Sequence, residues 1–410
     1  MRLRTIDPSE LADTSRLNAF VFGSTYEPVE GALRDALADP DRTWVLDADE
    51  PDAAFPYLAT GAAIPMRIAV PGGADVDAHG VRGIAVLPTH RRRGILRAIM
   101  RLALDDAHER GDVLSCLWPT GSAIYDRYGY GIATRRHRLE VDLSHAALRP
   151  ETHALADGAS VRLVSSADAA TLLAPVYEAQ RAIVPAMIER DDRWWKRRLH
   201  DPSGTMGIAV ATGPGPGGDV EGYAISTIER SWGATGPDNT VEVVEVAWTS
   251  SAAWAALWRY LTTIDLATKL TAWGRPTDEP LAHAFVEPRH ARRSLGEAAW
   301  FRLVDVAAAL TARSYLTEGR VVLEVRDPFC AWNEGRWALE AGPDGSTCKR
   351  TDEAADLTVS TSDLATAYFG AAALRDVAAV GRVDEHRFGA IDRLDALLAW
   401  PVAPWSVTWF

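Results

Sequence analysis

The stretch from Gly80 to Gly94, GVRGIAVLPTHRRRG, determines how the rest of the chain is interpreted. Apart from Arg82, residues 81–87 are small or apolar and include two β-branched valines, which predicts a buried strand. Pro88 ends that strand, because proline cannot donate to a β-ladder. After three consecutive arginines and Gly94, apolar residues recur with helical spacing. The stretch therefore predicts a strand, a basic turn and an amphipathic helix in succession.

This arrangement is typical of an anion site. The first N–H groups of a helix have no partners within it and carry the positive end of the helix dipole. Gly94 lets a phosphate approach the main chain without a Cβ in the way, and arginines supply forked donors. A solvated basic turn is the alternative. A nucleic-acid site is disfavoured, because the chain has a net charge of −13 and only one short basic run.

The run Arg91-Arg92-Arg93-Gly94 resembles the acetyl-CoA pyrophosphate loop of GNAT acetyltransferases, whose pattern is Arg/Gln-x-x-Gly-x-Gly/Ala. Leu96 departs from the final small residue of that pattern. The wider stretch VLPTHRRRGILRA is similar to the enhanced intracellular survival (Eis) family of GNAT N-acetyltransferases, and the similarity extends along the whole chain. The resemblance implies acetyl-CoA as cosubstrate and no metal. The candidate acetyl-CoA contacts are Ile84, Ala85, Val86, Arg91, Arg92, Arg93, Gly94, Ile95, Leu96 and Thr120.

Length and composition limit the class of protein. A chain of 410 residues is too long for a single hydrophobic core, so we expect two or three domains. Its three cysteines form no disulfide framework, so we expect reduced thiols and a cytoplasmic protein. No stretch approaches membrane-spanning length, and the N-terminus has no apolar signal region. The negative net charge of the chain is compatible with cationic substrates.

The chain is predicted to divide into residues 1–150, 151–298 and 299–410. EVAWTSSAAWAAL at 245–257 occupies the place in the second segment that IAVLPTHRRRGIL at 84–96 occupies in the first, which indicates an old duplication. The second copy lacks the arginines and the glycine, so it is expected not to bind acetyl-CoA. The last segment resembles the sterol-carrier-protein-like domain that closes Eis proteins. The predicted fold class is α/β (α+β): an active GNAT domain, a degenerate GNAT-like domain and a sterol-carrier-protein-like α+β domain.

Acetyl transfer to an amine needs a proton donor for the departing thiolate and a base for the amine. Tyr125, in AIYDRYGYG, is the candidate acid, because a phenol with a pKa of about 10 is protonated at neutral pH. Tyr128 and Tyr130 are rivals, and a packed aromatic is the alternative for each. Similarity to the family motif I-Y-x-R-F/Y-G-Y-G favours Tyr125, since the position of Tyr128 tolerates phenylalanine there.

The C-terminus is unusual, because it is apolar where termini are ordinarily polar. The chain ends LLAWPVAPWSVTWF, with no charged side chain after Asp395. Burial of this end would take the carboxylate of Phe410 into an apolar site and raise its pKa from about 3.5. A strand docked for stability, with the carboxylate at the surface, is the alternative. The Eis resemblance implies that the carboxylate of Phe410 is the general base and that Trp409 lines the substrate pocket.

Two function hypotheses follow from these features. The first is an acetyl-CoA-dependent N-acetyltransferase that acts on cationic amines, of the aminoglycoside or polyamine type, or on lysine side chains. The second is a lipid- or sterol-binding protein in which the GNAT units are scaffold. The intact arginine loop favours the first. The resemblance also implies a homohexamer, without nucleic-acid or membrane partners. Three acids near the first helices could line the amine pocket or be merely solvated: Asp13, Glu27 and Glu30.

Overall fold

The computed structural model describes residues 3–48, 54–215, 217–234 and 236–410. Contacts between residues divide the chain into two compact units. The first unit consists of Met1–Thr134, Ala299–Pro401 and Thr408–Phe410. The second unit consists of Arg135–Ala298 and Val402–Val407. The last nine residues of the chain are therefore shared between the two units.

In its described residues, 3–48 and 54–134, the N-terminal part of the first unit contains five strands and three α-helices. The strands are β1 (Arg4–Thr5), β2 (Thr43–Asp47), β3 (Tyr57–Ala69), β4 (Asp75–Val86) and β5 (Leu114–Leu117). The helices are α1 (Leu11–Phe22), α2 (Pro28–Asp35) and α3 (Ile95–Arg110). The predicted strand, basic turn and helix around Gly94 are thus confirmed. A tight turn joins β3 to β4, where the N–H of Val70 donates to the carbonyl of Ala74 at 2.8 Å.

The helix α3 packs on this sheet through one face. Its buried residues recur with helical spacing: Ile95, Ile99, Met100, Ala103, Leu104 and Ala107. Gly61 of β3 faces Ile99, and a Cβ there would come within 2.5 Å of the isoleucine methyl Cγ2. The missing side chain at Gly61 therefore lets α3 lie close to the sheet. This packing fixes the N-terminus of α3 at the end of β4.

The second unit is a seven-stranded sheet with its own helices. Its strands and helices from the middle of the chain are β6 (Arg135–Asp142), β7 (Ser160–Leu163), β8 (Gly207–Thr212), β9 (Val220–Glu229), β10 (Trp232–Gly233), β11 (Gly236–Pro237), β12 (Asn239–Trp248), β13 (Ala267–Arg275), β14 (Ala291–Glu297), α4 (Pro150–Ala156), α5 (Ser166–Arg181), α6 (Asp192–Arg198), α7 (Ser251–Thr262) and α8 (Leu281–Ala284). The strand order in its main sheet is β14-β6-β13-β12-β9-β8-β7.

The duplication predicted from the sequence is visible in these two sheets. In the first unit, β4 pairs antiparallel with β3 and parallel with β5, with α3 as the crossover. In the second unit, β12 pairs antiparallel with β9 and parallel with β13, with α7 as the crossover. The same order of strand, helix and parallel strand thus occurs twice.

The rest of the first unit carries a third sheet. Its elements are β15 (Trp300–Leu303), β16 (Gly319–Arg326), β17 (Gly335–Gly342), β18 (Gly345–Arg350), β19 (Leu357–Ser360), β20 (Asp384–Glu385), α9 (Val306–Ala312), α10 (Thr361–Tyr368), α11 (Leu374–Ala378) and α12 (Ala390–Leu398). The third sheet has the order β18-β17-β16-β19-β20, while β15 joins the first sheet beside β5.

Strand β6, which falls within the predicted first segment 1–150, does not join the sheet of the first unit. It pairs with β13 and β14 in the second unit. The first sheet is completed instead by β15, which pairs antiparallel with β5. Strand pairing between residues so distant in sequence leaves no local signal, so sequence pattern alone could not assign either strand to its sheet.

Two further expectations concern the whole chain. All three cysteines are free and buried, as predicted. Within the described residues, no helix is long and apolar enough to cross a membrane.

Candidate active site

The basic loop joins β4 to α3 with an open N-terminus. After Val86 the chain makes a 3-10 turn over Pro88–His90, and Arg92 then takes a positive φ of 62°. Gly94 caps α3 with a φ of 81°, a left-handed conformation that favours glycine. No side chain caps the helix, and no atom lies within 4 Å of the place where a Cβ of Gly94 would be. The first N–H groups of α3 therefore face open space.

The arginines of the loop are exposed. The side chain of Arg91 donates to the carbonyl oxygen of Val86 at 3.4 Å, and that of Arg93 donates to the carbonyl oxygen of Thr89 at 3.3 Å. These long hydrogen bonds leave most guanidinium donors of the two residues available to an anion. The loop therefore fits a pyrophosphate on three counts: exposed arginines, an uncapped helix and a glycine with free space above it.

The edge of β4 is open where the loop begins. Residues 78–81 of β4 pair in parallel with residues 114–117 of β5, and no further pairs follow. The last residues of β4 still pair with β3 on the other side, after a register shift opposite Gly61. Within the described residues, β5 does not continue this pairing along β4 from Gly83 to Val86. An extended ligand with amide groups, such as the arm of acetyl-CoA, could pair with this edge.

The structure places the other candidate contacts around the same loop. Ile84 and Val86 are half-buried and Ala85 is buried, so their main-chain groups, rather than their side chains, would meet a ligand. Ile95 packs inward with Ile99, so only its N–H group could reach a phosphate. The two remaining candidates differ in burial: Leu96 is half-buried against the core, and Thr120 is exposed just after β5.

Three tyrosines follow β5 in a segment of two short 3-10 turns. Tyr130 is fully buried and its hydroxyl is 2.7 Å from the hydroxyl of Ser115. Tyr128 is buried with its ring at 4.9 Å from that of Phe329, edge to face. Both are thus packed residues, as the structural alternative predicted.

Tyr125, the candidate acid, is also a buried residue of this segment. It is 7% exposed, and its ring meets that of Tyr130 edge-on at 6.2 Å. Burial, with a smaller contribution from Tyr128, raises the pKa of Tyr125 to about 12. The phenol is therefore protonated at neutral pH, which is the state that a general acid requires.

The glycines beside these tyrosines allow a close approach of other main chain. Gly131 forms a two-way hydrogen bond with Phe301, at 2.8 and 3.1 Å. A Cβ at Gly131 would fall well inside contact distance of the carbonyl oxygen of Ser362. Gly129 has a φ of 81° and lies against the buried guanidinium of Arg302, which also donates to the carbonyl of Tyr128 and pairs with Asp327. These contacts fix the tyrosine segment.

We expect Gly131→Ala to destabilise the protein by about 1–3 kcal/mol, because the added methyl group overpacks against main chain that cannot rotate away. Urea denaturation followed by fluorescence measures this as a lower midpoint. Gly296→Ala is the matched control, since a Cβ at Gly296 meets no atom within 4 Å. Equal midpoints for the two variants would show that the contact at Gly131 is not tight.

The C-terminus lies against the same strands in the first unit. A Cβ at Gly80 of β4 would clash with the thioether of Met66 and would lie 3.2 Å from ring atom Cε2 of Phe410, so this glycine makes room for both side chains. The indole N–H of Trp118, directly after β5, donates to the carbonyl oxygen of Thr408 at 3.2 Å. The ring of Trp118 also stacks on that of Trp409 at 4.7 Å. The end of the chain is therefore docked where β4 and β5 part.

The candidate acid and the chain end approach β4 from opposite faces. Tyr125 belongs to the buried cluster that contains Val81 and Leu117, whereas Phe410 contacts the neighbouring position Gly80. Consecutive residues of a strand point to opposite faces of the sheet. The rings of Tyr125 and Phe410 thus lie toward opposite faces of the sheet, near the parting of β4 and β5. Trp118, which holds Thr408, was not singled out by the sequence, although its place at the end of β5 is a usable signal.

The start of α7 in the second unit corresponds to the start of α3 in the first, but different chemical groups surround it. At the start of α7 the hydroxyl of Ser250 accepts from the N–H of Ala253 at 3.2 Å and donates to the carboxylate of Glu221 at 2.5 Å. A side chain thus caps the helix, and an acidic group lies beside the cap. Both features oppose phosphate binding, in agreement with the prediction that this copy lacks acetyl-CoA.

Other candidate ligand groups are involved in contacts of their own. Asp13 pairs with Arg16 at 3.0 Å, and Glu30 pairs with Arg34, while Glu27 is exposed.

In the second unit the ligand atoms of three residues lie within 4.8 Å of one another: Asp142, His145 and His290. The absence of a metal from the reaction stays a prediction.

Models of known families match the three parts of the chain. Residues 2–133 match one acetyltransferase (GNAT) domain, residues 186–303 match another, and residues 306–407 match a sterol carrier protein domain. With the fold and the open loop described above, these matches define the class: the chain is a GNAT N-acetyltransferase that uses acetyl-CoA as cosubstrate. Its architecture is a tandem of GNAT-like domains followed by a sterol-carrier-protein-like domain.

Individual relatives identify the family within this class. The chain is 38% identical over 394 residues to an uncharacterized N-acetyltransferase of Streptomyces coelicolor, covering 94% of this chain and 93% of that protein. It is 32% identical over 347 residues to the N-acetyltransferase Eis of Mycobacterium bovis, covering 82% of this chain and 81% of that protein. The crystal structure of Eis1 from Mycobacterium abscessus is similar over the full length of both chains, with a TM-score of 0.84 and 27% identity. The chain belongs to the Eis family.

A more distant structure shares the fold. A GCN5-related N-acetyltransferase from Anabaena variabilis has a TM-score of 0.85 at 18% identity, with full coverage of both chains. At this identity the likeness concerns the arrangement of the chain, not its chemistry.

Proposed function

We propose that this enzyme transfers acetyl groups to the amines of cationic substrates, of the aminoglycoside or polyamine type, or to lysine side chains. Tyr125 is the general acid and the terminal carboxylate of Phe410 is the general base. The observation that carries the proposal is the docking of the chain end against Gly80 and Trp118, at the parting of β4 and β5. The net charge of −13 favours the approach of cationic substrates.

The roles of the residues follow from their positions. Bound acetyl-CoA supplies an activated acetyl thioester. Arg91, Arg93 and the N–H groups after Gly94 hold its pyrophosphate, and the open edge of β4 up to Val86 pairs with its amide-bearing arm. The carboxylate of Phe410 takes a proton from the substrate ammonium group, directly or through a water, and the free amine then attacks the thioester carbon. The hydroxyl of Tyr125 gives a proton to the departing sulfur, which is possible because its raised pKa keeps it protonated.

Thiol release from acetyl-CoA tests the proposed substrate class. The enzyme is mixed with acetyl-CoA and a panel of polyamines, aminoglycosides and lysine peptides, with neutral alcohols as controls. We expect release that depends on the amine and is absent with the alcohols. Release with none of the amines would refute the cationic substrate class. The lipid- or sterol-binding alternative is supported only by the family match of residues 306–407, and we do not propose it.

The double variant Arg91→Ala with Arg93→Ala is expected to raise the KM for acetyl-CoA about tenfold or more. Hydrogen bonds to charged groups contribute about 1.5–3 kcal/mol each, and these arginines serve the pyrophosphate. The KM for the amine should change far less. Arg289→Ala with Arg293→Ala is the matched control, since it removes two exposed arginines of the second unit. An unchanged KM for acetyl-CoA in the folded loop variant would contradict the role of the loop.

We also propose a cytoplasmic homohexamer, on the strength of the family resemblance. Analytical ultracentrifugation at micromolar concentration tests the assembly, and a stable monomer would contradict it. The division into functional segments 1–150, 151–298 and 299–410 remains part of this proposal.

A further inference from the structure

Two similar turns lie side by side in the second unit. Strand β6 ends at Asp142 and leads into a 3-10 turn over Leu143–His145, while a 3-10 turn over Pro288–His290 leads into β14. Strands β6 and β14 pair antiparallel, and the pair nearest the turns joins Ala291 to Val141. Because one turn follows β6 and the other precedes β14, both turns lie at the same end of this strand pair.

Each turn carries a carboxylate three residues before a histidine. A carboxylate oxygen of Asp142 lies 3.5 Å from Nδ1 of His145, and one of Glu287 lies 3.1 Å from Nε2 of His290. The hydroxyl and the N–H of Ser144 both donate to the carboxylate of Asp142, at 2.6 and 3.0 Å, and thereby orient it. A carboxylate beside an imidazole is the usual support of a metal-binding histidine.

The two histidines bring these pairs together. The rings of His145 and His290 stack with their centres 4.0 Å apart and their planes 7° from parallel. One ligand atom each from Asp142, His145 and His290 lies within 4.8 Å of the other two. Parallel rings direct their nitrogen lone pairs in parallel, so one ring must turn about its Cβ–Cγ bond before both nitrogens can bind the same ion. The exposure of both rings leaves room for that rotation.

The access, charge and chemistry of the cluster suit a zinc ion. The side chains of Asp142, His145, Glu287 and His290 are 32–56% exposed. A cavity of about 680 Å³ opens beside them, and Asp142 and His290 line it. Two carboxylates balance the charge of a divalent cation. Zinc accepts imidazole and carboxylate ligands together, whereas calcium and magnesium prefer oxygen ligands alone.

We propose that Asp142, His145 and His290 bind a zinc ion, with Glu287 as the fourth ligand. The ion links the turn after β6 to the turn before β14, the edge strand of the sheet in the second unit. An ion that binds the folded chain in this way stabilises it. The site takes no part in the proposed acetyl transfer, so the metal-free chemistry expected of that reaction is a separate prediction.

Titration of the full-length enzyme with zinc tests the site. The enzyme is treated with a chelator, dialysed and titrated with ZnCl₂ in a calorimeter. The wild-type enzyme is compared with the double variant His145→Ala with His290→Ala. The matched control is His153→Ala with His283→Ala, which removes two other exposed histidines of the second unit.

We expect the wild-type enzyme and the control variant to bind about one zinc ion per chain. The variant without His145 and His290 should bind zinc at least about 100-fold more weakly, because even the residues that support metal ligands contribute 10–100-fold to affinity. Equal affinities for all three proteins would overturn the proposal.

The variants Asp142→Asn and Glu287→Gln test the two carboxylates, since each keeps the size of the side chain and removes one negative charge. We expect each to weaken zinc binding about tenfold or more. Asp238→Asn is the matched control, because Asp238 lines the same cavity and carries the same charge. An equal loss of affinity in all three variants would show that general negative charge attracts the ion, and would overturn the proposed ligands.

Cobalt and thermal unfolding give readouts of geometry and of folding. Four-coordinate Co²⁺ absorbs visible light much more strongly than six-coordinate Co²⁺, so we expect an intense band in the wild-type enzyme that His145→Ala with His290→Ala loses. Without metal, these two proteins should unfold at the same temperature, because the replaced side chains are partly exposed. Zinc should raise the midpoint of the wild-type enzyme alone. A weak six-coordinate spectrum, or an equal rise in both midpoints, would overturn the site.

Discussion

An enzyme with one glycine added after Phe410 is expected to acetylate amines about 10²–10⁴-fold more slowly than the wild-type enzyme. The added residue moves the terminal carboxylate by about 3.8 Å, the distance between successive Cα atoms. A displaced base can no longer reach the amine, and general base catalysis contributes a factor of this size. Steady-state thiol release under saturating acetyl-CoA measures the effect as a fall in kcat.

This edit keeps every native side chain, so its interpretation is direct. The ring of Phe410 can remain against Gly80, and the carbonyl of Thr408 can still accept from Trp118. The thermal unfolding midpoint and the KM for acetyl-CoA should therefore match the wild-type values. If the lengthened enzyme keeps full activity, the carboxylate is not the base and the chain end is docked for stability.

Tyr125→Phe is expected to lower kcat by about 10²–10⁴-fold, because it removes the proton donor and keeps the ring. Tyr128→Phe is the matched control: it removes a hydroxyl from the same segment, on a ring that packs against Phe329. Rapid-quench measurement of the first turnover separates the chemical step from product release. Equal first-turnover rates for the two variants would remove Tyr125 from the reaction.

The pH dependence of kcat tests the protonation state that is expected of the Tyr125 hydroxyl. Burial raises the pKa of Tyr125 to about 12, so the phenol stays protonated across the neutral range and loses its proton only near that value. The wild-type enzyme should therefore show no loss of kcat from this group below about pH 10, the unperturbed pKa of a phenol. A fall in kcat near neutral pH that Tyr125→Phe abolishes would contradict this assignment.

The local parts of the site could be predicted from the sequence. The strand before the arginines, the helix after Gly94 and the tyrosine segment depend on short-range signals: apolar runs, a proline stop and a glycine that permits positive φ. The structure confirms these elements within a few residues. The apolar composition of the last residues also predicted burial, which the structure shows for Trp405, whereas Phe410 is half-buried and Trp409 is exposed.

The non-local parts could not be predicted. Strand β6 continues the chain of the first GNAT-like segment, yet it pairs with β13 and β14, while β15 from much later in the chain pairs with β5. Nothing in the composition of a short strand specifies which of two similar sheets it joins. Similarly, the hydrogen bonds from Trp118 to Thr408 and from Trp405 to Gly274 join residues more than one hundred positions apart.

A comparison of the two duplicated sequence segments comes nearest to predicting these contacts. Trp118 follows β5, and Gly274 lies near the end of β13, at matching places in the two duplicated sequences. The C-terminal residues contact the chain at both places, Thr408 at the first and Trp405 at the second.

The central claim is that the charge on the last residue performs catalysis, and replacing the terminal carboxylate of Phe410 by a carboxamide tests it most directly. Semisynthesis with the last residues supplied as a peptide amide keeps the number of heavy atoms and removes only the negative charge. We predict that the amidated enzyme binds acetyl-CoA with an unchanged Kd and acetylates a polyamine about 10²–10⁴-fold more slowly than an enzyme assembled in the same way with a free carboxylate. Equal rates for the amidated enzyme and the free-carboxylate enzyme would contradict the claim.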